Sequence, residues 1–351
     1  VGLEFLGLGD VGSVTWGTNL YWAANDSALL TGSWWIFVPT GVGIALVGFG
    51  LTLVNFAIDE VNNPRLRVTR FEQEVARSPS TRELNEEAVL SVRNLVVEYP
   101  TGGAPFRAVD DVCLDIMPGE IFGLAGESGS GKSTLGFATL CLLPESARIP
   151  QGTIMLDGED VLSLSEDALR KLRWAKVSMA FQSAMNALNP VLLIREQIVD
   201  GIRAHRTIEP AEEDARVAEL LTMVGLEAGL ANSYPHQLSG GMRQRVVIAI
   251  ALALDPVLLI MDEPTTALDV VVQKEILQRL NERRRSLGFS VLFITHDLPL
   301  LLEYCDRIGI LKDGKLLDLG TPEELRAGPV DPYTTELLDA FPPFQQIGEA
   351  A

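Results

Sequence analysis

Positive charge is scarce in this chain. Its 28 basic residues, of which only six are lysines, face 47 acidic ones, for a formal net charge of −19 over 351 residues. Such a surface repels phosphate backbones and anionic headgroups, which excludes nucleic acid as a partner. Acidic excess with little lysine fits a salt-rich cytoplasm, and a GC-rich genome accounts for the lysine deficit equally well, so halophily stays open. Cysteine is also rare. Cys113, Cys141 and Cys305 stand far apart, which excludes a disulfide framework and the spacings of zinc or iron–sulfur sites. They read as small buried apolar residues in a reducing compartment.

From Ser27 to Ile58 charge is missing altogether. The most apolar part opens at Trp34-Trp35, and about 24 helical residues rising ~1.5 Å each cover about 36 Å, enough for a ~30 Å hydrocarbon core. This predicts a membrane span near 34–58, with the tryptophans in the interfacial belt. Gly41 with Ala45, and Gly48 with Thr52, are small residues four apart, suited to packing against another membrane helix. A signal peptide is the poorer reading, because a basic start is missing. Arg65, Arg67 and Arg70 follow the span, whereas no Lys or Arg precedes it, which puts the downstream side in the cytoplasm. Residues 64–87 are polar and read as a linker with a short helix around Arg70–Ala76. The chain begins with Val1, which implies a processed or partial product.

From Val89 onward strand and helix signals alternate. Ser91–Tyr99 alternates like a strand, and Ile121–Ala125, Val257–Met261 and Val291–Thr295 are short apolar runs. The recurrence predicts a parallel sheet flanked by helices. Gly126-Glu127-Ser128-Gly129-Ser130-Gly131-Lys132-Ser133 fits G-x-x-x-x-G-K-[ST] between one of those runs and a helix expected from Lys132 to about Leu143. Glycines let successive N–H groups wrap a polyphosphate at a helix N-terminus. Lys132 is then expected on the β- and γ-phosphates of ATP, and the Ser133 hydroxyl on Mg²⁺. Leu258–Met261 runs into Asp262 and Glu263, an apolar strand ending in two acids. Asp262 suits Mg²⁺, and Glu263 suits the orientation of an attacking water.

Leu238-Ser239-Gly240-Gly241-Met242-Arg243-Gln244-Arg245 narrows the choice, because it resembles the signature of ATP-binding cassette (ABC) proteins. Gln182 after Val177–Phe181 is similar to that family's Q-loop, Ala267-Leu268-Asp269 to its D-loop, and His296 to its switch histidine. The resemblance covers roughly 88–325. It implies an α/β P-loop cassette with a core sheet, a helical subdomain and an antiparallel β subdomain, preceded here by one transmembrane helix. It implies that residues 126–134, Thr134 included, bind nucleotide together with Gln244 and Asp269, and that Ser239, Gly240 and Gly241 contact the nucleotide held by a facing cassette. Tyr99 takes the adenine-stacking position, and Thr101–Phe106 lengthens the stretch that follows it. Glu263, His296 and Gln182 are implied as catalytic, and Ser133, Gln182 and Asp262 as metal ligands.

Within the family the resemblance is to ATPases of oligopeptide and dipeptide importers. It rests on Phe106-Arg107-Ala108-Val109-Asp110, Leu188-Asn189-Pro190-Val191, Tyr234-Pro235-His236-Gln237 and Thr266-Ala267-Leu268-Asp269-Val270. Pro329-Val330-Asp331-Pro332-Tyr333-Thr334 resembles the subfamily's C-terminal extension, here 326–351, with Asp331 where His is frequent. The cysteine-bearing tail of some relatives is absent, so no iron–sulfur cluster is expected. Phe5-Leu6-Gly7-Leu8-Gly9-Asp10, Trp16-Gly17, Trp34-Trp35 and Asn63-Pro64-Arg65-Leu66-Arg67 resemble the end of a permease of the same importers, which would make 1–63 a permease terminus. Partners so implied are a second cassette (self or paralogue), permease subunits, an extracytoplasmic solute-binding protein and membrane lipid, at the cytoplasmic membrane. The competing readings are an exporter half-transporter and a soluble, non-transport cassette ATPase. The latter's long coiled coils need sustained heptads, and none follows the glycine loop.

Overall fold

A computed structural model of the chain describes residues 2–6, 13–28, 30–62, 77–80, 82–181, 187–264 and 270–340. The chain divides into two compact units, Val1–Thr69 and Arg70–Ala351. The expected helix around Arg70–Ala76, and Gln182 and Asp269, lie outside the described residues.

The first unit holds α1 (Gly2–Phe5), α2 (Trp16–Asn25) and α3 (Trp34–Asn62). A reciprocal cap starts α2: the Thr18 amide donates to Thr15 Oγ1 at 3.2 Å and the Thr15 amide to Thr18 Oγ1 at 2.8 Å. Thr15 Oγ1 also donates to Glu4, which ties α1 to this cap. Helix α3 is long and apolar enough to cross a membrane over Trp34–Asn55, and its Trp35, Leu46, Phe49 and Leu51 are 60–65 % exposed. Within the unit Trp16 packs on Gly43, whereas Gly41 and Gly48 face open space.

In the second unit, β1 (Leu90–Tyr99), β2 (Phe106–Ile116), β4 (Arg148–Leu156) and β5 (Glu159–Asp160) form an antiparallel sheet in the order β2-β1-β4-β5. A six-stranded sheet has the order β10-β9-β3-β8-β7-β6, built from β3 (Ile121–Ala125), β6 (Val177–Ala180), β7 (Leu258–Asp262), β8 (Ser290–Ile294), β9 (Arg307–Lys312) and β10 (Lys315–Gly320). Its strands β6, β7, β8, β3 and β9 run parallel, and β10 closes the edge as a hairpin with β9. Strands β3, β7 and β8 are buried at every position, as unbroken apolar runs require when both faces are covered.

Helix α4 (Lys132–Thr139) follows β3, and α5 (Glu166–Leu172) precedes β6. Helix α4 ends four residues short of the expected stop: Leu140 caps it, Cys141 takes φ +51°, and the Leu142 amide turns back to the Phe137 carbonyl. Between β6 and β7 lie α6 (Ile194–Arg203), α7 (Pro210–Met223) and α8 (Gly240–Ala251). Ile194, Ile198 and Ile202 of α6 are wholly buried, and the buried Glu213 pins α6 to α7 through Arg195 and Arg203 at 3.0 and 2.6 Å. The chain continues through α9 (Val270–Leu287), α10 (Leu298–Tyr304), α11 (Pro322–Ala327) and α12 (Pro332–Asp339).

Of the three cysteines only Cys305 is buried. Cys113 and Cys141 are half-buried; Cys113 Sγ accepts the Asn94 amide, and Cys141 lies at the turn that ends α4. Residues 77–80, within the expected linker, dock on the antiparallel sheet. The Ser78 amide donates to the Pro150 carbonyl, Gly152 donates back to Ser78, and Arg77 pairs with Asp160 at 2.9 Å.

Candidate nucleotide site

The glycine loop leaves the buried end of β3 and enters α4. A side chain at Gly126 would place its Cβ 2.1 Å from the Leu311 carbonyl oxygen, and one at Gly131 (φ +105°) would lie 2.1 Å from that of Ala108. The loop is therefore pressed between β2 and the β9–β10 hairpin, and only glycine fits both contacts. Gly314 of the hairpin turn donates to the Ser130 carbonyl at 3.0 Å.

Lys132 opens α4 with only 5 % of its surface exposed. Its Nζ donates to the carbonyls of Gly126 and Glu127 at 2.8 and 2.7 Å, so the ammonium is held inside the loop's curve. Burial lowers its pKa, against the opposing charges of Glu263, Asp262 and Glu127. Ser133 Oγ, one residue on, donates to Asp262 Oδ1 at 3.0 Å. Asp262 is 4 % exposed, and burial raises its pKa although the Ser133 hydrogen bond works the other way.

Glu263 follows at φ +46°, a backbone turn that swings its carboxylate away from the strand direction. His296, just past β8, brings Nδ1 to 3.1 Å from Glu263 Oε1. The parallel register of β7 and β8, in which Asp262 pairs with Ile294, sets that distance. An open cleft of about 290 Å³ is lined by Tyr99, Phe106, Ser128, Lys132, Ser133, Thr134 and Glu263. Tyr99 and Phe106 are cross-strand partners, so two aromatic rings flank one edge. Phe106, 55 % exposed, is a candidate contact that sequence reasoning assigned no role; its pairing with Tyr99 is the signal that identifies it.

Ser239, Gly240 and Gly241 are not among the residues lining that cleft. Ser239 caps α8 by accepting the Met242 amide at 3.3 Å, and its exposed hydroxyl and the following amides form a separate polar turn. Gln244 is turned inward on α8 at 2 % exposure, with its amide nitrogen unpaired.

The site's oxygen donors suit a hard divalent cation. Among the described residues no group of three or more His, Cys, Asp or Glu could hold a metal by itself. The Ser133–Asp262 pair instead matches Mg²⁺, which keeps waters and substrate phosphates and takes one or two protein oxygens.

A parallel sheet with a glycine loop at the end of one strand and paired acids at the end of another defines a P-loop nucleotide-binding protein. The family model "ABC transporter" matches residues 109–266. The peptidoglycan transport ATP-binding protein YejF of Agrobacterium fabrum is 47 % identical over 264 residues, 74 % of this chain and 48 % of that protein. The dipeptide transport ATP-binding protein DppD of Bacillus subtilis is 41 % identical over 259 residues, 73 % of this chain and 77 % of its own length. The oligopeptide transport ATP-binding protein OppD of the same organism is 38 % identical, with 74 % of each chain covered. The chain thus spans about half of the first of these relatives and about three quarters of the other two. A solved dimeric ATP-binding cassette in a post-hydrolysis state, bound to ADP and phosphate, superposes with a TM-score of 0.61 at 34 % identity, covering 66 % of this chain and 98 % of that one. The chain belongs to the ATP-binding proteins of ABC transporters.

Proposed function

We propose that this chain is the ATP-hydrolysing subunit of a peptide importer. The observation that carries the reading is its identity of 38–47 % over 259–264 residues with ATP-binding proteins of peptidoglycan, dipeptide and oligopeptide transport.

In this reading residues 126–134 hold the ATP phosphates, with Tyr99 against the base. Lys132 leaves its own loop carbonyls for the β- and γ-phosphates. Ser133, Asp262 and Gln182 would hold Mg²⁺, which neutralises phosphate charge when bound. Glu263 orients the attacking water and takes its proton, and His296 holds that carboxylate and the γ-phosphate in register. The Ser239–Gly241 turn and Asp269 serve the nucleotide of a facing cassette, so the chain works as a dimer. A dimeric solved relative supports this.

The 29 residues of α3 support a membrane span, and the permease-like strings around it support 1–63 as the end of a permease domain, with the cassette on the cytoplasmic face. Partner permeases and a solute-binding protein complete the translocation path.

The test is ATP hydrolysis by the full chain with its permease partners in lipid vesicles, with the cognate binding protein and di- to pentapeptides. Peptide-dependent stimulation is expected. Stimulation by sugars or metal ions and by no peptide would remove the peptide assignment while leaving the ATPase.

A further inference from the structure

The C-terminal segment is tied to the nucleotide loop by a chain of contacts. Asp318 of β10, 6 % exposed, accepts the amides of Val330 and Asp331 at 2.9 and 3.0 Å and the Thr334 hydroxyl. Asp331 in turn caps α12 by accepting the Tyr333 amide at 2.9 Å. These four bonds fix the first turn of α12 on the β9–β10 hairpin and turn Tyr333 inward, to 8 % exposure.

Lys312 at the end of β9 places Nζ 3.9 Å from the centre of the Tyr333 ring, a cation seated on an aromatic face. Two residues on, the hairpin turn holds the Ser130 carbonyl through the Gly314 amide, and one residue before, the Leu311 carbonyl meets Gly126. The Tyr333 hydroxyl is buried without a well-formed hydrogen bond and lies beside Glu127. Burial, then the Glu127 carboxylate, push the phenol above its ordinary value. Glu127 is also the residue whose carbonyl accepts the Lys132 ammonium at 2.7 Å. Tyr333 thus bears on both flanks of the loop, yet it does not line the cleft.

We propose that Tyr333 is a positioning residue for the nucleotide loop: its ring seats Lys312, which stands between the hairpin's contacts to Gly126 and Ser130, and the segment around α12 thereby holds residues 126–131 in phosphate-binding shape. An ordered tail favours ATP binding, and a displaced tail weakens it. The segment is accordingly a lever by which anything that binds or cleaves it would change ATP affinity. The inference rests on the reading of 126–134 as the nucleotide loop.

Full-length wild type, Tyr333→Phe, Tyr333→Ala and Lys132→Ala are to be compared by MgATP titration at equilibrium and by steady-state hydrolysis. The phenylalanine variant keeps the ring and so preserves the fold. Because the hydroxyl it removes has no hydrogen-bond partner, kcat is expected within about twofold of wild type, and so are the ATP Kd and KM. The alanine variant loses ring and hydroxyl and is expected to raise Kd and KM about tenfold or more. Wild-type Kd and KM in the alanine variant overturn the proposal, as does a fall in kcat at unchanged KM there or a phenylalanine variant that loses ATP affinity as strongly as the alanine one. If Lys132→Ala binds ATP like wild type, the loop assignment itself fails. A silent Tyr333→Ala beside a Lys132→Ala that cannot bind removes only the bracing role.

Discussion

Asp262 and Glu263 are neighbours with different surroundings: Asp262 is buried against Ser133, and Glu263 is half-buried beside His296. Asp262 ends a strand buried at every position, and burial raises its pKa because a carboxylate there has lost most of its water. A group whose pKa is raised on folding contributes most stability below its unfolded value and loses that contribution as pH rises through the folded one. Above the raised value the ionised Asp262 therefore costs the nucleotide-free fold stability, which is the behaviour the proposed cation-binding role requires. Asp262→Asn keeps the shape and the Ser133 contact while removing the charge. It is expected to raise the melting temperature of the nucleotide-free chain by about 2–4 °C while cutting MgATP turnover at least about a hundredfold. Calorimetry and steady-state hydrolysis check the two halves separately. A lower melting temperature would show that Asp262 stabilises the fold.

At the scale of elements, the hairpin β9–β10 and helix α12 act together through Asp318. Burial pushes its carboxyl up, but the hydrogen bonds from Thr334, Val330 and Asp331 outweigh that and hold it below its ordinary value. A carboxylate depressed on folding stabilises above its unfolded pKa, and the contribution disappears as pH falls through the depressed value. Asp318→Asn should accordingly melt a few degrees below wild type at neutral pH. The gap should narrow as pH drops below about 4, where the unfolded chain's carboxyl takes up its proton, and close once pH passes the lower folded value. Melting curves across that range check it, and a gap independent of pH would assign the effect to shape alone.

None of this latch was legible beforehand. Unbroken apolar runs announced β3, β7 and β8, and the glycine spacing announced the loop, because these signals are local. Contacts of Asp318 with residues 12–16 positions away, of Gly314 with Ser130, and of Phe106 with Tyr99 arise only when strands pair, and no spacing rule encodes them. The burial of Gln244 was illegible for the complementary reason: a motif fixes its position in the chain, whereas the helix phase after Ser239 decides which way the side chain turns.

For the whole molecule, the arrangement of two polar sites sets the chemistry. The cleft has the glycine loop and Glu263 along its walls, while the Ser239 turn stands outside it and is exposed. A triphosphate in that cleft leaves its outer face to water unless a second chain supplies its own Ser239 turn. Two copies each carry a formal charge of −19, so approach is opposed by repulsion until the nucleotide and the paired amides bridge the gap. Removing the carboxylate proposed as proton acceptor should stall the cycle at that bridged stage. Glu263→Gln is expected to lower turnover at least about tenfold and to accumulate an ATP-bound dimer on size-exclusion chromatography. Screening should help it: the dimer fraction should be larger at about 0.5 M salt than at about 0.05 M, because the Debye length shrinks from about 14 to about 4 Å. Unchanged turnover in this variant would remove Glu263 from the base role. A monomer at both salt concentrations, with ATP bound, would show that one chain closes the site alone.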